Sequence, residues 1–201
     1  LKGDQVLRLD DTQKEHLEFI DTLEGEVDRV YSTLVLPLWD TETKRFSTTL
    51  YGYMMTIFAR IDLLSSYWSG GATSRGQTSR MIGFMDKYLS PNHEANSVAL
   101  HMWRHRLMHT SEPRYLTEVS TEVKYSWLLH WADHLPREQH YTLVDSHNAR
   151  KLRIGLTYLI SDLRRATEEY LLELRNDYVL QSKYERLHME LTSYRFRAFQ
   201  D

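Results

Sequence analysis

The chain contains no cysteine, so disulfides, thiolate metal ligands and cysteine nucleophiles are all excluded by inventory. No run of about 18 apolar residues occurs, and no membrane span is expected. The N-terminal stretch LKGDQVLRLDD lacks the basic-then-apolar pattern of an export leader, so the expected location is cytoplasmic. Positive charge is also in short supply. A net charge of −3 argues against a protein that coats nucleic acid through a bulk positive field, and any RNA site must be a local patch. Phosphate-cradling glycine loops are missing as well: Gly70-Gly71 has no GK[ST] sequel, and there is no dinucleotide fingerprint or G-x-S-x-G elbow.

What is present describes a globular protein. At 201 residues a single domain is expected, 1–201, long enough to bury a core without staples. Hydrophobic residues at 41% and charged residues at 26% are wrong for a disordered or fibrous chain. Eighteen arginines against seven lysines favour planar, bidentate donors suited to phosphate or carboxylate, although genomic base composition produces the same skew.

The apolar spacing predicts mainly helix. From Asp11 to about Leu36, residues Leu17, Ile20, Leu23, Val27, Val30, Tyr31 and Leu34 recur at threes and fours, and Pro37 closes the pattern. A second helix, about Lys44 to Trp68, carries two stripes, Tyr53-Ile57-Ile61-Leu64-Trp68 and Tyr51-Met55-Phe58, which marks it as the central buried helix. Asp62 extends the second stripe by one turn. A carboxylate on such a face needs a partner, with Arg104 or a backbone amide as candidates and a solvated groove or an unrelated arginine as the alternatives.

A polar linker, Ser69 to Ser79, leads to a shorter helix around Thr78 to Leu89; Asn92 is a fair N-cap for a fourth that runs to Thr110. Beyond Pro113, VKYSWLLHW, QHYTLV and KLRI predict a small antiparallel sheet of two or three strands, about 123–154, inserted in the helical body. Helix returns over about 156–199, with Asn176-Asp177 as a break. Leu180, Tyr184, Leu187, Leu191, Tyr194 and Ala198 space as a seam fit for another helix, and hence as a candidate dimer surface.

Chemistry concentrates in the fourth helix, where NHEANSVALHMWRHRLMHT ends in Arg104, His105, Arg106 and His109. An arginine followed by a polar residue, with a histidine after four intervening residues, resembles the signature of the HEPN superfamily, all-helical domains of which many are metal-independent ribonucleases. In that family the motif closes a long helix packed beside an earlier apolar helix bearing an acidic residue. Here Tyr51 to Trp68 with Asp62 takes that part, and the resemblance covers roughly Leu50 to Thr110.

The resemblance implies a HEPN-like antiparallel helical bundle and an endoribonuclease that needs no metal or other cofactor. RNA cleavage by its own 2′-hydroxyl needs a base, an acid and a cation at the phosphate. His109 fits the proton carrier, Arg104 the phosphate ligand, and His105 an orienting group or second proton carrier. Arg106 would hold a flanking phosphate, and Asp62 joins it in the substrate-binding set. On an α-helix Arg104 and His109 lie about 140° apart around the axis. Reach, an unwound last turn, or a homodimer with two motifs along one groove would overcome this; toxin-like members also have a neutralising partner protein.

Four other readings stay open, one of them a pure interaction protein built around the C-terminal helix. A non-catalytic HEPN-like module could use the same residues to bind nucleotide or protein. Basic residues in a last helical turn also favour the negative end of the helix dipole, by about 0.3–1 kcal/mol each. Finally, His101, His105 and His109 recur at fours, a spacing that can hold Zn²⁺, but no carboxylate lies within that helix at suitable spacing except Glu94, which is far from His109.

Overall fold

The computed structural model describes residues 9–35, 47–71, 73, 75–108, 115–131, 135–147 and 149–192. Among these it is mainly helical, with six α-helices: α1 (Leu9–Val30), α2 (Ser47–Ser69), α3 (Gln77–Phe84), α4 (His93–Met102), α5 (Leu156–Asn176) and α6 (Tyr178–Thr192). Three helices run on into wider π-helical turns, Tyr31–Val35 after α1, Met85–Leu89 after α3 and Trp103–Met108 after α4. No helix among the described residues is long and apolar enough to cross a membrane.

The middle of the bundle is α2, because it is apolar on more than one side. Ile57, Phe58, Ile61 and Leu64 are fully buried, and α1, α3, α5 and α6 pack around it directly or through one another. The row that accompanies the first stripe differs from the expected one. Met54 faces inward in place of Met55, which is 39% exposed. At the C-terminal end of α2, Gly70 turns with φ +76°, a left-handed conformation suited to glycine. There Arg186 of α6 donates to the Gly70 carbonyl, and an added Cβ would stand 2.6 Å from that guanidinium.

The C-terminal seam serves the monomer. Leu180, Tyr184 and Leu187 are buried against the bundle, with α6 docked on α2, so those three positions cannot also form a dimer surface. Leu191 is exposed, and Tyr194 and Ala198 lie outside the described residues. The predicted break is real: α5 ends at Asn176, and Asp177 accepts from Val179 N to start α6.

The sheet has four strands and mixed direction, where a purely antiparallel one was expected. Strands β1 (Leu116–Thr117), β2 (Lys124–His130), β3 (Thr142–Ser146) and β4 (Ala149–Gly155) lie in the order β1-β2-β4-β3, with β2 and β4 parallel. The reason lies in the hairpin β3–β4. Its fully buried apolar side chains, Leu152 and Ile154, are on β4, whereas β3 is half-buried to exposed. Burial therefore puts β4 beside β2, and a crossover makes that pair parallel.

His140, beside Pro136 in a region where exposed histidines are unremarkable, is instead buried and ties the sheet to α5. Its Nδ1 accepts from Gly155 N at 3.0 Å, which leaves Nε2 to face Asp162 Oδ2 at 3.2 Å. Burial pushes the Asp162 carboxyl up, but His140 and Arg137, which also donates to it, outweigh that and hold it below the usual range.

A second polar chain crosses the core between α1, α2 and α6. Arg60 Nη2 donates to His16 Nδ1 at 2.6 Å, so the ring proton sits on Nε2, 3.3 Å from the Tyr184 hydroxyl. Tyr184 also stacks on Tyr67, ring centroids 4.2 Å apart. Burial, then the charge of Arg60, then His188, hold the His16 imidazole down at about 3. An unfolded chain binds a proton there below about pH 6.5 while the folded chain does not. The stabilisation is therefore complete above pH 6.5 and lost as pH falls towards 3. Unfolding free energies from urea titrations between pH 7 and pH 4 are expected to fall more steeply for the native chain than for His16→Gln, by up to about 1.4 kcal/mol per pH unit. Parallel pH profiles would rule out this origin.

Candidate functional site

The site is built where α4 leaves the bundle. Asn92 caps α4 as expected, its side chain accepting from Ala95 N at 3.1 Å. The expected helix to Thr110 runs on as far as the described residues reach, but its form changes: α-helical bonding stops at Met102 and a π-helical turn, Trp103–Met108, follows. Such turns, closed by i→i+5 bonds, often occur at functional sites. Trp103 anchors this one. Its ring is buried and stacks on Phe58 of α2 at 5.8 Å and 21°, and Phe58 in turn stacks on Trp127 of β2 at 6.1 Å and 14°.

Arg104, the next residue, is half-buried and reaches across to α3, where its Nη1 donates to Thr78 Oγ1 at 2.7 Å. It does not meet Asp62. That carboxylate instead accepts from Gln77 Nε2 at 2.7 Å and from Arg80 Nη2 at 3.2 Å. The alternative of an unrelated arginine partner is thus the one that forms. Because Gln77 and Thr78 are neighbours in the first turn of α3, the Asp62 bonds fix the turn that presents the Thr78 hydroxyl to Arg104.

Several other arginines are paired with carboxylates: Arg80 with Asp62, Arg137 with Asp162, Arg150 with Glu94 and Asp145, and Arg164 with Asp21 and Glu24. Among the described residues, Arg104 has a hydroxyl for a partner and no carboxylate. Among those residues its guanidinium charge is not neutralised.

His105 is exposed and its ring lies parallel to that of His101, one turn earlier, with centroids 5.6 Å apart and 11° between planes. Burial, then His105, then Arg104, lower the pKa of His101, which favours its neutral ring. The Arg106 side chain and the whole of His109 lie outside the described residues. Of the residues singled out in the sequence, the structure thus joins Arg104 and His105 on one turn. Asp62 connects to them only through α3.

Beside this turn a cavity of about 610 Å³ opens between α4 and the β1–β2 hairpin. Glu94, Ser97, His101 and His105 line its helical side, with Thr117, Glu118 and Thr121 opposite and Arg150 at its margin. Sequence reasoning missed Thr78, Gln77 and Arg80, which it had placed in a flexible linker or at a helix start. The signal was Gln77 and Arg80 at helical spacing after Gly76, within reach of a carboxylate that needed a partner. The three-histidine metal reading falls partly on His109; among the described residues no group of three or more His, Asp or Glu is arranged to hold a metal ion.

No family model, curated protein or solved structure matches the chain. The functional reading therefore rests on these side chains. The Asp62 bonds give a direct test of how the site is braced. Because the Arg80 side chain is only 9% exposed, Asp62→Ala leaves a largely buried cation unpaired. A loss of about 1–3 kcal/mol in urea unfolding is expected, with Asp62→Asn losing less because it retains an acceptor for Gln77. Equal stability of all three proteins would show that the bonds do not brace the turn.

Proposed function

We propose that the protein is a metal-independent endoribonuclease of HEPN type, with its chemistry at the turn that carries Arg104. The observation behind this reading is the charge state of that turn. A half-buried guanidinium is held by the Thr78 hydroxyl and, among the described residues, left without a carboxylate. A phosphodiester supplies the missing anion, and the planar fork can donate two parallel hydrogen bonds to it. The π-helical turn adds support. Wide turns of this kind often occur at functional sites.

In the proposed reaction a base removes the 2′-hydroxyl proton, O2′ attacks phosphorus, and the bond to the 5′-oxygen breaks as an acid protonates it. The products are a 2′,3′-cyclic phosphate and a 5′-hydroxyl. Arg104 steadies the charge on the phosphorane-like transition state. His109 carries one proton, and His105 orients the phosphate or carries the other. Arg106 holds a flanking phosphate, and Asp62 acts indirectly, through Gln77 and the α3 turn that presents Thr78. A homodimer that places two such turns along one groove belongs to this proposal. Its surface must lie elsewhere than Leu180, Tyr184 and Leu187, which are buried within the monomer.

The second reading is a non-catalytic module that binds nucleotide or protein through the same residues, and the cavity beside His101 is the observation in its favour. Cleavage of a panel of single-stranded RNAs in excess chelator separates the two. The native chain is expected to leave 2′,3′-cyclic phosphate ends. Arg104→Ala is expected to lose about 10²–10³-fold in rate and His109→Ala about 10²–10⁴-fold, both with native circular dichroism. Equal background from all three proteins across the panel would overturn the nuclease reading.

A further inference from the structure

The cavity between α4 and the β1–β2 hairpin has a composition that selects one kind of ligand. Its charged lining consists of two carboxylates, Glu94 and Glu118, and one cation, Arg150, which Glu94 and Asp145 already engage. A phosphate entering here meets an excess of negative charge. The helical side presents the parallel rings of His101 and His105, an aromatic column one turn long, and the lowered pKa of His101 keeps its ring uncharged near neutral pH. Val98, Leu116 and Val123 supply apolar wall. Around these surfaces stand hydrogen-bonding groups, Ser97, Thr117 and Thr121, with Thr121 Oγ1 donating to Glu118 Oε2 at 2.6 Å. Flat, uncharged and rich in edge donors is the description of a nucleobase, and 610 Å³ lies within the range of sites that enclose small ligands.

We propose that this cavity is a nucleobase subsite, in which one unpaired base of an RNA strand stacks on the His101–His105 column while the adjoining phosphate lies at Arg104. This rests on the reading of Arg104 as a phosphate ligand. Arg104 and His105 are consecutive on one turn, the first reaching towards α3 and the second towards the cavity, so a strand that crosses this turn can meet both. Single-stranded RNA is commonly read in this way, by splaying a base onto an aromatic surface and bonding its edge. The carboxylate of Glu118 accepts hydrogen bonds and has none to give when ionised, so it favours bases that carry an exocyclic amino group over uracil.

The test begins with free nucleosides, which need no catalysis. Cytidine and uridine are titrated into the native chain while the ring C–H signals of all histidines are followed by NMR. Saturable shifts confined to His101 and His105, stronger for cytidine, are expected, with affinity about 10-fold weaker in His101→Leu. Glu118→Gln is expected to remove the preference for cytidine while retaining binding. In the cleavage assay the loss in His101→Leu is expected to fall chiefly on KM, whereas Arg104→Ala loses kcat.

Nucleoside binding at the cavity by a chain that cleaves no RNA would retain the subsite and overturn the nuclease reading. Cleavage with unchanged KM and unchanged base preference in His101→Leu would do the reverse. Absence of any saturable shift at tens of millimolar nucleoside would overturn the subsite by itself. A change of fold in His101→Leu is met by His101→Phe, which retains a ring and is expected to restore binding.

Discussion

A column of four aromatic rings connects the parts of this molecule that the chain itself keeps far apart. Trp103 stacks on Phe58, Phe58 on Trp127, and Trp127 on Tyr51 at 6.4 Å and 22°. Two of the rings belong to α2, one to the turn after α4 and one to β2. Each such pair contributes about 0.5–1.5 kcal/mol beyond its buried area, so the column is a substantial share of the marginal stability of a domain. It also sets geometry. With Trp103 held from one side by a helix and through it by a strand, the residue that follows, Arg104, leaves the core at a defined place, and the cavity opens where the sheet and α4 diverge.

The same economy of position explains the arginines. Most of those described serve as staples between elements: Arg80 joins α3 to α2, Arg164 joins α5 to α1, and Arg150 joins β4 to α4. Where such pairs are exposed they add little individually, about 0–1 kcal/mol, unlike the one at the largely buried Arg80, but all of them neutralise the guanidinium. Arg104 differs in being met by a hydroxyl. In an overall acidic chain, this turn keeps a local positive charge among the described residues, and it also carries His105 of a cavity whose own carboxylates disfavour anions. A strand of RNA has the complementary alternation, with charged phosphate and uncharged base.

Helices were legible because burial on a helix has a period that residue types reveal. Ile57, Ile61 and Leu64, or Leu156, Ile160, Leu163, Tyr170 and Leu174, point inward as their spacing requires. The rows that failed did so for want of a partner in view. Met54 rather than Met55 faces the core because what packs on α2 decides which of two adjacent apolar residues is covered. His140 is buried because Gly155 and Asp162, distant in sequence, offer it both a donor and an acceptor. Sheet direction escaped for the same reason, since either strand of the hairpin can pair with β2 and the buried pair Leu152 and Ile154 chose.

By itself the sequence determined the helical class, the central place of α2, the cap at Asn92, the break after Asn176 and the concentration of basic and imidazole groups after Met102. These depend on local spacing and local chemistry, which a linear chain carries in full. Only the tertiary structure decided that Asp62 pairs with Arg80, that Thr78 receives Arg104, that the helix widens at Trp103, and that His101 and His105 face a cavity. Each of these is a choice among several chemically equivalent partners. Such a choice is made by distance and by what is excluded from water, and neither exists until the elements have packed.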